Sequence, residues 1–226
     1  MKYDFDTVID RNNNFAAKYD EIGRKFGRED LIPLWVADMD FRTAEPIIEA
    51  IRQRAEQGIF GYTSRPKSYF AAASEWLSRR HGWSADPSLM LHSPGVVPSL
   101  SMMIQHFTEP GDKIIIQSPV YYPFFDVVRS HGRQLLENPL KNVNGRYEMD
   151  YDHLAELAAQ GAKYLLLCSP HNPVGRVWHK DELVRLGQIC LRHGVTVIAD
   201  EIHSDLVYSA HKHIPFASIS EEFRQN

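Results

Sequence analysis

The run Val195-Thr-Val-Ile-Ala-Asp-Glu-Ile-His203 delivers two acids and a histidine straight after an apolar stretch. Acids in such a place hold the magnesium of a nucleotide, ligate a metal directly, or line the floor of a cofactor pocket. The first task needs a phosphate-cradling loop, because the acid only holds a magnesium whose nucleotide is already gripped by a GxxxxGK(S/T) backbone. The chain contains no Gly-Lys pair, and the nucleotide-motor reading falls with it. A metal could draw on Asp200, His203, Asp205, His211 and His213, which lie close in sequence. No HExxH or comparable spacing accompanies them. His211 and His213 are expected to be solvated loop histidines. GxGxxG is also absent, which argues against a dinucleotide.

Three further polar loops stand beside this one. Gly95-Val-Val-Pro-Ser follows the apolar Leu-Met-Leu-His-Ser, expected as a strand, and opens a helix. Ser118-Pro-Val-Tyr-Tyr-Pro and Ser169-Pro-His-Asn-Pro-Val-Gly each follow an apolar run. The elements that must position these loops can be read from periodicity. Lys113–Ser118, Lys163–Cys168 and Val195–Ala199 are continuous apolar runs, the pattern of strands covered on both faces. Between the last two, Leu183, Leu186, Ile189 and Cys190 form a helical stripe closed by Gly194. Strand, helix and strand with short loops is a βαβ unit, which builds parallel sheets whose ligand sites lie beyond the carboxyl ends of the strands. The fold class is therefore α/β. Upstream, Thr43–Gln57 reads as a threonine-capped helix with a buried face of Ile47, Ile48, Ile51 and Ala55, stopped at Gly58. Lys67–His81 repeats the pattern through Phe70, Ala73, Trp76 and Leu77 and stops at Gly82. A third helix is expected from near Pro98 to the Glu109-Pro-Gly-Asp112 turn.

Composition narrows the partners. Over 226 residues, 43% hydrophobic and 24% charged residues describe a globular chain able to bury a sizeable core. A net charge of −4 gives no basic stripe for nucleic acid. No run approaches the ~18 apolar residues of a membrane span. The acids in the first residues are unlike a secretory leader, so a cytoplasmic location is expected. Cys168 and Cys190 form no CxxC pair and lie in apolar runs, as buried inert thiols would.

The four loops together suit a ligand that is anionic at one end, aromatic in the middle and basic at a ring nitrogen. An anion would sit on the amides of Gly95, Val96 and Val97 at a helix start. A ring would stack on Tyr121, and Asp200 would keep a ring nitrogen protonated. That description fits pyridoxal 5'-phosphate.

At these residues the sequence resembles the fold-type I pyridoxal-phosphate enzymes of the class I/II aminotransferase family, most closely the cystathionine β-lyase or cysteine-S-conjugate β-lyase subgroup. The resemblance runs through Val36-Ala-Asp-Met-Asp-Phe41, Gly61-Tyr62, Gly95-Val-Val97, Pro119–Pro123, Ser169–Gly175, Ala199–His203 and His213–Ser218. It implies a large domain with a mostly parallel central sheet flanked by helices, with residues 1–45 as an arm or small-domain segment and 46–226 as an incomplete cofactor-binding domain. By the same resemblance Asp200 pairs with the ring nitrogen and Asn172 bonds the phenolic oxygen. Tyr121 stacks on the ring, and Val96 and Val97 donate to the phosphate. Tyr62 reaches the phosphate of a partner subunit in a homodimer. His203 stands where many of these aminotransferases carry tyrosine, which tilts the expectation from amino transfer toward β-elimination of a small amino-acid substrate. The Schiff-base lysine that the family places some tens of residues after the aspartate is absent, as is most of the small domain. The chain thus reads as the amino-terminal half to two-thirds of such an enzyme, inactive alone. An aminotransferase, or a non-catalytic protein that keeps the cleft, are the competing expectations.

Overall fold

The computed structural model describes residues 3–226, which divide into two compact units on either side of the Ser64–Arg65 bond. The first unit contains α1 (Ala17–Asp20), α2 (Ile22–Phe26) and α3 (Glu45–Gln57). Its irregular parts are held by ion pairs. Arg11 bridges Asp38 and Asp40, and Lys18 Nζ donates to Asp40 at 2.7 Å and to the Asp38 carbonyl at 3.0 Å. Lys18 and Arg11 together hold the Asp40 carboxyl down at about 2. The Ala-Asp-Met-Asp segment is thereby pinned by its acids. α3 ends, as expected, where Gly58 adopts φ 70°. Its cap is Ala44 with no side-chain hydrogen bond, not Thr43. The expectation of a buried face does not hold either: Ile47 and Ile51 are 52% and 64% exposed. The stripe is present, but Ile47 and Ile51 are uncovered within the first unit among the described residues.

The second unit is built on a sheet. It begins with α4 (Lys67–His81) and α5 (Val96–Phe107), then β1 (Lys113–Ile116), α6 (Pro123–Arg129) and β2 (Gln134–Glu137). A small antiparallel hairpin, β3 (Lys141–Val143) and β4 (Arg146–Glu148), precedes α7 (Tyr151–Ala159), β5 (Ala162–Cys168), α8 (Lys180–His193), β6 (Thr196–Asp200) and α9 (Glu221–Gln225). The main sheet has the order β2-β1-β5-β6, and every pairing is parallel. Parallel neighbours require crossover connections, and α6 and α8 supply two of them.

Side chains alternate across this sheet, so each strand feeds two cores. Ile114, Ile116, Leu166, Cys168 and Ile198 pack with Leu100 and Ile104 of α5 and with Phe124, Val127 and Val128 of α6. Ile115, Leu165 and Leu167 face α7 and α8, where Leu154, Leu183, Leu186 and Ile189 meet them. Full burial of such a side chain is worth about 1.5–3 kcal/mol, which explains why the covered middles of these strands, residues 114–116, 165–167 and 197–199, carry no polar residue. Both cysteines are buried, and burial pushes each thiol up to about 12.

Two local expectations are corrected. No strand occupies Leu89–Ser93 among the described residues: Pro87–Leu89 form a 3-10 turn, and the run has no strand beside it to complete a ladder. α5 begins at Val96 with Pro98 in its first turn, as expected of a helix opened by Gly95-Val-Val-Pro. α4 buries no residue of its apolar stripe completely, and Trp76 is 41% exposed. Among the described residues no helix is long and apolar enough to cross a membrane.

Candidate functional site

The carboxyl ends of β1, β5 and β6 lie side by side, so the loops that follow them form one edge. Cys168 pairs in register with Asp200, and Ser169 N donates to the Asp200 carbonyl at 2.9 Å. The Ser169–Gly175 loop therefore leaves the sheet beside the Asp200 side chain. On the other flank, the loop after β1 is fastened by Leu140 N, which donates to the Ser118 carbonyl at 2.7 Å. Val96 and Val97 from the start of α5 and Tyr121 from the β1 loop pack against the same apolar cluster, which includes Cys168 and Val120. Tyr121, Asn172, Asp200 and His203 thus lie in loops that follow three neighbouring strands, and Gly95-Val96-Val97 opens the helix that packs on the same cluster. Tyr62 belongs to the first unit and is fully exposed.

Asp200 is the most unusual of these groups. It is 7% exposed and ends the edge strand β6. One carboxylate oxygen accepts from Ile202 N at 3.1 Å, and among the described residues no cation pairs with it. Burial pushes its carboxyl above the ordinary range, an effect that the Ile202 N–H and the nearby His203 only partly offset. A buried carboxylate in this condition favours a cationic partner. The start of α5 is complementary in sign. No side chain caps it, and Pro98 contributes no N–H, so the exposed donors of the first turn are those of Val96 and Val97. A Cβ added at Gly95 would meet only the Pro98 ring at 3.5 Å, so nothing within the chain excludes a side chain there.

The remaining polar groups support the loops. Asn172 N donates to Cys168 Sγ at 3.3 Å, while its half-buried side-chain amide bonds no other group among the described residues. His171, between Pro170 and Asn172, is buried and reaches the β1 loop through Nε2, 3.0 Å from the Pro119 carbonyl oxygen. Glu201 faces away from metal chemistry: Oε1 accepts from Phe216 N at 2.7 Å, and Oε2 lies 3.7 Å from His213 Nε2. His213 is 2% exposed and packs edge-on against His81, correcting its expectation as a solvated histidine, whereas His211 is exposed. Asp205 accepts from Trp76 Nε1 at 2.8 Å and lies 2.9 Å from His81 Nε2. Glu201, Asp205 and His213 are therefore spent on separate contacts, and no metal-holding group forms among the described residues. Periodicity could not find Cys168, His171 or Glu201 as loop supports, since each acts on a backbone group. An apolar groove of about 970 Å³ near Phe70, Leu77, Trp83 and Leu91 includes none of the strand-end residues. Its lining has no unpaired charge comparable to Asp200, so the strand ends remain the stronger candidate.

Comparison with known proteins bears on this geometry. The family model described as aminotransferase class I and II matches residues 29–223. The chain is 47% identical over 220 residues to cystathionine beta-lyase PatB of Bacillus subtilis, covering 97% of this chain and 57% of that protein. It is 36% identical to protein MalY of Escherichia coli, covering 96% of this chain and 56% of that one. Cystalysin of Treponema denticola, whose crystal structure contains pyridoxal 5'-phosphate, superposes with a TM-score of 0.93 at 37% identity, over 99% of this chain and 57% of cystalysin. The chain spans little more than half the length of the relatives it matches.

Proposed function

Because the chain belongs to the aminotransferase class I and II family, we propose that it is the cofactor-cradling part of a pyridoxal-phosphate-dependent carbon–sulfur β-lyase acting on cystathionine or cysteine S-conjugates. The observation that carries this reading is Asp200: a buried carboxylate with one backbone donor, no cation paired with it among the described residues, and a carboxyl pushed up by burial. A protonated ring nitrogen is the partner such a group favours. The uncapped first turn of α5 suits the phosphate at the other end of the same ligand. The names of PatB and cystalysin's bound cofactor support the assignment.

When bound, pyridoxal phosphate supplies a sink for the electrons left on an amino acid's α-carbon as its proton departs. In the proposed reaction a thiolate then leaves the β-carbon, and hydrolysis yields thiol, pyruvate and ammonia. The residues of this chain make that possible by holding charge in place. Asp200 would hold the proton on the ring nitrogen. The Asn172 amide is a donor for the phenolic oxygen, and Tyr121 offers its ring as a stacking face. The N–H groups of Val96 and Val97 would hold the phosphate. His203 stands three residues after Asp200, half-buried, where an imidazole can hold or pass a proton near the phenolic oxygen. Tyr62, exposed on the first unit with Phe60 and Ile47 also exposed there, suits a role toward the phosphate of a second copy in a homodimer.

The deciding assay uses the full-length holoenzyme and cystathionine with no keto-acid acceptor. Pyruvate and ammonia are expected in equal amounts with the released thiol. Amino transfer that depends on a keto acid and yields no pyruvate would make the protein an aminotransferase instead.

A further inference from the structure

We propose that His171 is a positioning residue that ties the loop bearing Tyr121 to the loop bearing Asn172 and so presets the width of the slot between them. The inference rests on the cofactor reading above for what the slot holds, but not for the tie itself. His171 precedes Asn172 directly, and its Nε2 lies 3.0 Å from the carbonyl oxygen of Pro119, two residues before Tyr121. One hydrogen bond therefore spans the two loops at nearly the shortest chain distance from both residues.

The residue is held through both its backbone and its ring. His171 N donates to the Arg176 carbonyl at 2.8 Å, and Gly175 N donates to the His171 carbonyl at 2.8 Å. The ring meets Trp178 edge-on, with centroids 5.5 Å apart at 90°. Trp178 is itself buried, its Nε1 donating to the Cys168 carbonyl at 3.0 Å. A ring so fixed transmits the position of one loop to the other instead of yielding between them.

Packing alone does not account for an imidazole here. Among the described residues the buried Nδ1 has no hydrogen-bond partner, a cost that a phenylalanine of similar shape would avoid. What imidazole adds is the Nε2–H donor to Pro119. Burial holds the ring neutral, its pKa down at about 4, which is compatible with a single N–H placed on Nε2.

The test uses the 226-residue chain and two variants. His171→Phe keeps the ring against Trp178 and removes the donor. His171→Gln retains an N–H donor near the Nε2 position. Hydrogen exchange is followed in peptides spanning 117–122 and 169–175, with melting temperature and titration by pyridoxal 5'-phosphate alongside. In His171→Phe, exchange is expected to rise together in both peptides, by about tenfold for the loss of one such bond. Affinity for pyridoxal phosphate is expected to fall by a similar factor. His171→Gln is expected to restore both within about threefold. Unchanged exchange in His171→Phe, or equal losses in both variants, would overturn the tie and leave a packing role. If exchange responds as expected but the unsubstituted chain shows no saturable binding of pyridoxal phosphate, the tie stands and the cofactor reading fails.

Discussion

Asp200 and His171 are buried in the same set of strand-end loops, and burial moves their two groups in opposite senses, the carboxyl up and the imidazole down. Each is thereby driven toward its neutral form, but only the imidazole has its donor satisfied by the chain. The carboxyl is the group that a bound cation would change, so its effect on stability without ligand should differ from its effect on binding. Its folded pKa lies above the ordinary 3.8. Its contribution to stability is therefore complete below 3.8 and lost as pH rises through the folded value. Replacing Asp200 with Asn should raise the melting temperature of the ligand-free chain at pH 7, and the gain should vanish as pH falls below 3.8. The same substitution should weaken pyridoxal phosphate binding at pH 7. Paired melting and titration series check both, and a lower melting temperature at pH 7 would show that the charged carboxylate is already compensated within the chain. Asp200 was legible in the sequence because an apolar strand runs straight into it. His171 was not, since its partner is a carbonyl 52 residues away, and a carbonyl has no identity in a sequence.

Elements were legible where their signals were local. α3, α4 and α8 stop at Gly58, Gly82 and Gly194, each with φ near 70°, as the apolar stripes and following glycines predict. β1, β5 and β6 were visible as apolar runs because both faces of the sheet are covered. β2 was harder, being four residues long with exposed ends. The β3–β4 hairpin had a usable signal in Asn144-Gly145, whose φ values of 52° and 85° fit the tight turn that this pair favours. α7 likewise begins at Asp150, which accepts from His153 N. What no periodicity reveals is how closely two helices approach. Gly187, within α8, lies so near α9 that an added Cβ would fall 2.5 Å from Phe223 Cζ. Phe223 is 7% exposed and stacks on Phe216 with ring centroids 5.1 Å apart, so its ring has little room to retreat. Gly→Ala in a helix interior ordinarily stabilises by about 1 kcal/mol. Here Gly187→Ala is expected to destabilise by about 1–3 kcal/mol through overpacking. Denaturant unfolding of Gly187→Ala, Phe223→Ala and the double variant checks this. The penalty should shrink once the ring is gone, and a stabilised single variant would refute the close contact.

For the whole chain, the question is how a cofactor would be retained. Covalent retention needs a lysine amine at the strand ends, and the lysines of the second unit are placed elsewhere. Lys113 begins β1, at the opposite end of its strand, and its Nζ donates to the Gln160 carbonyl at 2.9 Å. Lys141 pairs with Asp150 at 2.8 Å. Lys163 lies near the start of β5, Lys180 opens α8, and Lys67 and Lys212 are exposed. The retaining groups are then the Asp200 charge, the first-turn amides of α5, the Tyr121 face and the Asn172 amide, all of them reversible. Pyridoxal phosphate should accordingly bind the 226-residue chain saturably and leave on dialysis. Borohydride should fix no stoichiometric label at any one lysine, as read by intact mass and peptide mapping, although scattered substoichiometric labelling of exposed amines is expected from the aldehyde's own reactivity. A single lysine labelled to completion, with binding that survives dialysis, would show that these residues supply the covalent partner themselves. Inhibition of the binding by inorganic phosphate would locate part of the affinity at α5, since phosphate competes for the Val96 and Val97 amides without engaging Asp200.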